Sequence, residues 1–153
     1  PDLQVTLLDA LQKRISFLAA VVEELGLTHV RLVHARAEDG ARNPEHRERY
    51  DLAVARAVAP LPVLCELMLP FVAVGGRMFC YKGPAAQDEL EAGGRAARML
   101  GGGALEVLPA DVPGQPDWRH IIVACRKKEK TARQYPRKAG TPGRCPLGTS
   151  AKE

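Results

Sequence analysis

The 153-residue sequence lacks the patterns that identify several common catalytic and metal-binding classes. Its four cysteines form no CxxC pair, and its four histidines show no spacing typical of metal ligands. It has no GxSxG nucleophile elbow, no GxxxxGKS/T phosphate loop and no GxGxxG dinucleotide loop. We therefore expect no metal site and no serine-hydrolase or P-loop chemistry.

Aromatic residues and long hydrophobic runs are also scarce. Aromatics make up 5% of the chain, so small aliphatic side chains must fill the core that a hydrophobic content of 46% permits. No apolar run approaches the ~20 residues of a membrane span. Cysteines inside apolar stretches are typical of small buried thiols. We expect a single domain's length of chain, reduced and cytoplasmic, without membrane contact.

Charge is distributed unevenly along the chain. Residues 126–153 contain nine Lys or Arg and two Glu, a balance of +7, whereas residues 1–125 have a balance of −3. A basic Pro/Gly-rich tail at 126–153 favours contact with a polyanion such as nucleic acid. The alternative is a solvated tail that only aids solubility.

Strand and helix patterns alternate through residues 1–125. Apolar β-type runs predict strands at 3–9, 30–34, 51–56, 77–82, 105–108 and 120–125, and three- to four-residue apolar spacing predicts helices at 11–25, 61–72 and 87–100. Gly75 and Gly76 are predicted to form a turn. This order predicts a three-layered α/β domain with a mainly parallel sheet, whose last two strands form an antiparallel hairpin.

Charged residues follow the strands that should be parallel. Right-handed crossovers place the carboxyl ends of such strands at one edge, where α/β proteins bind ligands. The residues at these ends are Asp9, the segment 36–39, Arg56 and Lys82. We expect them to converge there, although Arg56 alone is equally compatible with an arginine that only reaches water.

Two acids have alternative interpretations. Asp9 lies between a strand and a helix, where a carboxylate can accept hydrogen bonds from the ribose hydroxyls of an adenosine-type cofactor or can cap the helix. Glu38 can meet the edge of an adenine ring or can be a solvated loop acid. Arg36 beside it can be simple surface charge.

Two segments resemble one known family with high specificity, namely YDLAVARAVAPL at 50–61 and YPRKAGTP at 135–142. Supporting matches are VTLLDALQKRISFL at 5–18, LGLxxV at 25–30, HARAED at 34–39, LPxxxxGGR at 69–77, the Lys82-Gly83 pair and KTARQYPRKAGTPGRCPLG at 130–148. Together they resemble the bacterial small-subunit ribosomal RNA guanine-N7 methyltransferases, historically called glucose-inhibited division protein B.

The resemblance implies a class I, Rossmann-like fold and methyl transfer from S-adenosyl-L-methionine to N7 of a guanine in 16S ribosomal RNA. It implies cofactor contacts at Asp9, Ala10, Leu11, Ala37, Glu38 and Arg56. It implies contact with the target base or its RNA, as catalytic positions, at Arg36, Arg56 and Lys82. It implies ribosomal RNA contacts at Arg133, Arg137 and Lys138, by a monomer acting on the RNA or the small subunit.

Two other functions remain open from the residues alone. A non-catalytic RNA-binding α/β module would use the basic tail and would bind RNA without methyl transfer. A nicotinamide-dependent oxidoreductase fragment would share the strand, acid and helix pattern, but the basic tail disfavours it.

The family's glycine-rich cofactor loop precedes Asp9, and the printed sequence starts eight residues ahead of Asp9. We therefore expect a chain that lacks the first, central strand, which would lie between the strands at 3–9 and 51–56. Each unpaired backbone group left there costs ~1–3 kcal/mol if it is buried.

Residues 1–153 alone should consequently bind S-adenosylmethionine poorly, whereas a protein that includes the upstream strand should bind it well. Isothermal titration calorimetry on both proteins measures the difference. Equal micromolar affinity for the two would contradict this expectation.

Overall fold

The computed structural model describes residues 3–56, 59–110, 114 and 120–149. Its strands are β1 (Val5–Asp9), β2 (Val30–His34), β3 (Tyr50–Arg56), β4 (Val72–Lys82), β5 (Gly102–Pro109) and β6 (Ile121–Lys127). Its α-helices are α1 (Gln12–Glu24), α2 (Ala37–Gly40), α3 (Leu61–Met68), α4 (Leu90–Met99) and α5 (Thr141–Arg144), with 3-10 turns at Leu69–Phe71 and Pro84–Glu89. Within these ranges no helix combines the length and the apolar character needed to cross a membrane.

The strands form two sheets. β1 pairs with β2 in parallel, and a separate four-stranded sheet has the order β3-β4-β6-β5. The α/β class and the antiparallel β5–β6 hairpin are confirmed. The larger sheet is mixed, because β6 lies between β4 and β5 and runs antiparallel to both, while β3, β4 and β5 share one direction as predicted. Among the described residues no ladder joins β1 to β3, the strands that were expected to flank a further strand.

The predicted turn at Gly75 and Gly76 lies inside β4. Helix α3 ends at Met68, earlier than predicted, and β4 then runs through both glycines. The β3–β4 register shifts there, from Tyr50 opposite Val72 to Leu52 opposite Arg77. A Cβ on Gly76 would lie 2.6 Å from the Asp51 carbonyl oxygen, so the close approach of the strands at this irregularity requires a glycine.

The main core lies between the four-stranded sheet and helices α3 and α4. It includes Leu61, Leu64, Leu69, Met78 and Val123, all at most 1% exposed. Three thiols, those of Cys65, Cys80 and Cys125, are buried in the same core, whereas Cys145 is exposed. Burial raises the pKa of the Cys80 thiol to about 12, so this group is neutral and unreactive near neutral pH.

Residues 128–149, here called the strap, pack against the rest of the protein. Strand β6 extends to Lys127, so the segment predicted as a tail begins inside a strand. Four apolar side chains of the strap are buried, those of Tyr135, Pro136, Pro142 and Leu147. Such burial anchors an irregular segment that would otherwise be a solvated tail.

Three acidic side chains hold backbone N–H groups of the strap. The acids come from different elements, namely Glu38 in α2, Glu66 in α3 and Glu48 in the loop before β3. Each accepts one strap N–H: Glu48 from Thr131 at 2.7 Å, Glu66 from Arg137 at 2.8 Å and Glu38 from Gly140 at 2.8 Å. An irregular backbone that lacks a ladder partner is thereby satisfied by charged side chains.

Three arginines hold backbone carbonyl groups of the strap in the same way. The donors lie in the loop before β3 and in α4, and the contacts are Arg42 to Pro136 at 2.8 Å, Arg47 to Thr131 and Tyr135 at 2.8 Å each, and Arg95 to Gly148 at 2.6 Å. Since α2 follows β2 whereas α3 and α4 cover the four-stranded sheet, the strap connects the two sheets.

One lysine just before the strap and one arginine within it bind other groups of the protein rather than solvent. Lys127 is fully buried and donates to the Leu69 carbonyl and the Thr131 hydroxyl, both at 2.6 Å. Burial lowers its pKa. Arg137 pairs with Glu66 at 2.6 Å, and this carboxylate, which is itself fully buried, raises the pKa of Arg137.

Replacing Arg137 by Ala should destabilise the protein by about 3 kcal/mol or more, because it leaves the buried Glu66 carboxylate without its counter-charge. Lys138→Ala is the matched control, because Lys138 is the exposed neighbour and should change the free energy of unfolding by less than about 0.5 kcal/mol. Urea unfolding followed by circular dichroism measures both. Equal stability of the two variants would show that the Arg137–Glu66 pair does not anchor the strap.

Candidate functional site

The residues predicted for the site form two groups, each at the carboxyl ends of a parallel strand pair. The first group follows β1 and β2 and contains Asp9 and the segment 36–38. The second follows β3 and β4 and contains Arg56 and Lys82. Parallel pairing places the members of each group together. The two groups lie on separate sheets, however, whereas the sequence predicted that all four positions share one edge.

Asp9 ends β1, and its carboxylate turns toward the start of α1. One oxygen accepts a hydrogen bond from the backbone N–H of Leu11 at 2.8 Å, and the other accepts one from the guanidinium of Arg14 at 3.2 Å. The Leu11 hydrogen bond and then Arg14 lower the pKa of Asp9, so this group is ionised at neutral pH. The capping alternative is therefore present, yet the side chain remains 23% exposed and each oxygen keeps a second lone pair for a ligand.

The main chain beside Asp9 is ordered by β2. The Ala35 N–H donates to the Asp9 carbonyl at 3.1 Å, and the His34 ring donates through Nε2 to the Ala10 carbonyl at 3.1 Å. Ala10 and Leu11 are both exposed at this edge. The strand ends thus present an ordered acidic turn toward solvent.

The segment 36–38 begins the short helix α2. Arg36 has an exposed side chain, and its Nε lies 3.8 Å from a carboxylate oxygen of Glu38. Glu38 is buried, with its other oxygen bound to the Gly140 N–H of the strap. Its carboxylate therefore faces the strap, which leaves the exposed Arg36 side chain, Ala37 and the backbone of this segment for a ligand.

Arg56 and Lys82 line one hollow of about 180 Å³, together with Tyr81, Gly83 and His120. The guanidinium of Arg56 lies 5.7 Å from the centre of the Tyr81 ring, and this ring stacks on His120 with centroids 5.1 Å apart. Such a cation and aromatic arrangement can receive the flat face of a base.

Lys82 is held from two sides in this hollow. Its Nζ donates to the Ala59 carbonyl at 3.0 Å and pairs with Glu89 at 2.8 Å. Glu89 also accepts the N–H of Leu61 at the start of α3. Lys82 consequently orders the turn before α3, and its side chain is only 11% exposed.

Among the described residues, no hydrogen bond or ion pair joins the side chains of the two groups. The hollow at Arg56 has no residue of the first group in its lining. The structure thus brings Asp9 near the segment 36–38 and Arg56 near Lys82, and it leaves these pairs separate. Asp9 and Arg56 lie on β1 and β3, which share no ladder in the described residues.

The cations predicted to contact RNA are placed differently from one another. Arg133 and Lys138 are exposed on the strap. Arg137 instead donates to Glu66 and to the Cys145 carbonyl, the latter at 2.7 Å. Its guanidinium is largely occupied by the protein itself.

Several residues of the site escaped sequence reasoning. Tyr81 and His120 carry no pattern that marks a stacking surface, whereas Glu66 was visible as the lone acid in the apolar run LPVLCELML. A lone acid in such a run indicates a buried charge that needs a partner. In the described part of the chain, no three His, Cys, Asp or Glu side chains are grouped as a metal site.

Comparison with known proteins relates this architecture to one family. The model of the family GidB, rRNA small subunit methyltransferase G, matches residues 1–115. A ribosomal RNA small subunit methyltransferase G from Leuconostoc mesenteroides is 50% identical over 147 residues, which are 96% of this chain and 61% of that protein. The chain therefore spans about three fifths of the length of this relative.

Solved structures share the fold at low identity. An rRNA methylase from Streptococcus thermophilus superposes with a TM-score of 0.55 at 18% identity, covering 82% of this chain and 74% of that one. A geranyl diphosphate C-methyltransferase from Streptomyces coelicolor superposes with a TM-score of 0.57 at 13% identity, covering 81% and 61%. The class I methyltransferase fold predicted from the sequence is confirmed.

The Asp9 carboxyl should titrate below its usual value of 3.8, because the ionised form is hydrogen-bonded. A depressed folded-state pKa contributes stability that is present above the unfolded pKa and is lost as the pH falls through the folded value. NMR titration of the Asp9 side-chain carbon measures this pKa. Arg14→Gln should raise it only in part, since Leu11 has the larger effect; full recovery to 3.8 would contradict the assignment.

Proposed function

Because the chain belongs to the rRNA small subunit methyltransferase G family, we propose that this protein transfers a methyl group from S-adenosylmethionine to N7 of a guanine in 16S ribosomal RNA. The observation that supports this most is the family match over residues 1–115, which includes every cofactor and base contact that the resemblance implied. No feature of the described structure favours an oxidoreductase or a non-catalytic module.

The residues at the end of β1 and β2 fit the nucleoside half of the cofactor. When bound, S-adenosylmethionine supplies an electrophilic methyl group on its sulfonium. The ionised Asp9 carboxylate can accept the ribose hydroxyls, with the Ala10 and Leu11 backbone alongside. Ala37 and the backbone of Glu38 border the adenine in this proposal.

The second group, Arg56 and Lys82, would position the target base. Guanine N7 carries an in-plane lone pair and no proton, so its methylation requires no general base. Holding the acceptor in line with the methyl group can lower the barrier by ~7–11 kcal/mol in favourable cases. Arg56 is the exposed cation at the hollow and is suited to O6 or a phosphate, while Tyr81 and His120 offer a stacking face.

The other two proposed catalytic positions have different tasks. Lys82 is held by Ala59 and Glu89 and keeps the turn before α3 in place beneath the base. Arg36 is exposed in the first group, which also contains Asp9, and it can approach a phosphate. In this proposal neither residue takes or gives a proton.

Exposed cations of the strap and of the end of β6 are proposed to contact the RNA backbone. Those at 126–149 are Arg126, Lys128, Lys130, Arg133, Lys138 and Arg144. Phosphate contacts by these side chains would make binding depend strongly on salt. In this proposal the protein is a monomer, and it acts on ribosomal RNA in the cytoplasm.

Replacing Arg56 by Ala should lower kcat/KM on 16S RNA by roughly a hundredfold, the scale of a displaced reacting group. The measurement is transfer of a labelled methyl group to small-subunit RNA, with the modified base located by cleavage at N7-methylguanosine. Arg98→Ala, an exposed arginine on α4, is the matched control and should retain wild-type turnover. Methylation at another base atom, or none by the complete wild-type protein, would refute the proposed function.

A further inference from the structure

Glu38 is a buried acid that lies between the proposed cofactor edge and the strap. Its side chain is 8% exposed. One oxygen accepts the Gly140 N–H at 2.8 Å, and the other lies 3.8 Å from Nε of Arg36. One carboxylate thus contacts a strap residue and an exposed cation at the same time.

The strap geometry at this point depends on Gly140. This residue has φ of +81° and precedes the short helix α5, a conformation that favours glycine. The Thr141 N–H closes the turn by donating to the Lys138 carbonyl at 2.9 Å. Lys138 is exposed and is two residues from the N–H that Glu38 holds. Fixing Gly140 therefore fixes the position from which Lys138 extends.

We infer that Glu38 is a positioning residue for RNA contact: its carboxylate fixes the Gly140 turn, so that Lys138 and Arg36 form one phosphate-binding surface beside the cofactor edge. This inference rests on the proposed function, which assigns RNA as substrate. It gives Glu38 a task distinct from contact with adenine, because the carboxylate faces the strap.

The sign of the expected effect distinguishes this role from simple electrostatics. Removing an acid near an RNA-binding surface ordinarily strengthens phosphate binding, since repulsion is lost. Here the loss of the Glu38 side chain should weaken RNA binding, because the turn that carries Lys138 is released. Glu38→Gln separates the two effects, since an amide oxygen can still accept the Gly140 N–H without the charge.

The test measures methyl transfer by the complete protein, with KM determined separately for small-subunit RNA and for S-adenosylmethionine. Glu38→Ala should raise the KM for RNA roughly ten- to hundredfold, the scale of one lost charge-assisted hydrogen bond, and leave the KM for S-adenosylmethionine unchanged. Glu38→Gln should retain the wild-type KM for RNA or lower it. The Gly140 amide should exchange faster with deuterium in Glu38→Ala than in the wild type.

A double-mutant cycle with Lys138→Ala completes the test. If Glu38 acts by placing Lys138, the Lys138→Ala change should raise the KM for RNA in the wild type and have no further effect in Glu38→Ala. Additive effects, a higher KM for S-adenosylmethionine in both Glu38 variants, or tighter RNA binding by Glu38→Ala would each overturn the inference. Absence of methyl transfer by the wild type would instead refute the proposed function itself.

The amide-exchange measurement keeps the inference testable if Glu38→Ala unfolds. Glu38→Gln and Lys138→Ala both preserve the hydrogen bond to Gly140, so Gly140 protection should match the wild type in both. Loss of that protection in Glu38→Gln, with RNA binding unchanged, would show that the turn does not set the RNA surface.

Discussion

The hydrogen bonding of the strap backbone is the constraint on which the rest of this structure depends. A buried irregular segment has no ladder partner, so its N–H and C=O groups need partners from side chains. Glu38, Glu48 and Glu66 supply acceptors for three N–H groups. The dependence is mutual, because a fully buried carboxylate such as Glu66 would otherwise lack hydrogen-bond donors and a counter-charge.

The same contacts determine how the two sheets are held together. β1 and β2 share no ladder with the other four strands in the described residues. The strap contacts α2 beside β2 through Glu38, and α3 and α4 on the larger sheet through Glu66 and Arg95. The relative placement of the cofactor group and the base group therefore depends on a segment that contributes little regular secondary structure.

The sequence predicted the parts of the fold that depend on local pattern. Helix α1, the strand ends at Asp9 and Arg56, the buried thiols and the final hairpin all follow from apolar spacing and composition. Gly75 and Gly76 were misassigned, because a glycine pair marks a turn or a strand irregularity equally well until the approach of Asp51 is known. The strap was predicted only as a basic Pro/Gly-rich tail, and its packing against the body was not foreseen, because its partner acids lie 71 to 102 residues away along the chain.

Composition also overstates the charge that the strap offers to RNA. Lys127 is fully buried and Arg137 is paired with Glu66, so neither is available as a free phosphate contact. Each phosphate neutralised on a single strand contributes about 0.7 to the logarithmic salt dependence of binding. The exposed cations of the strap therefore set an upper limit to the slope that the strap alone can give, and a steeper dependence requires cations outside it. Arg36 and Arg56 are exposed cations at the strand ends of the proposed site, so a part of the slope that is lost when they are replaced would show that RNA contacts both the strap and the site at once.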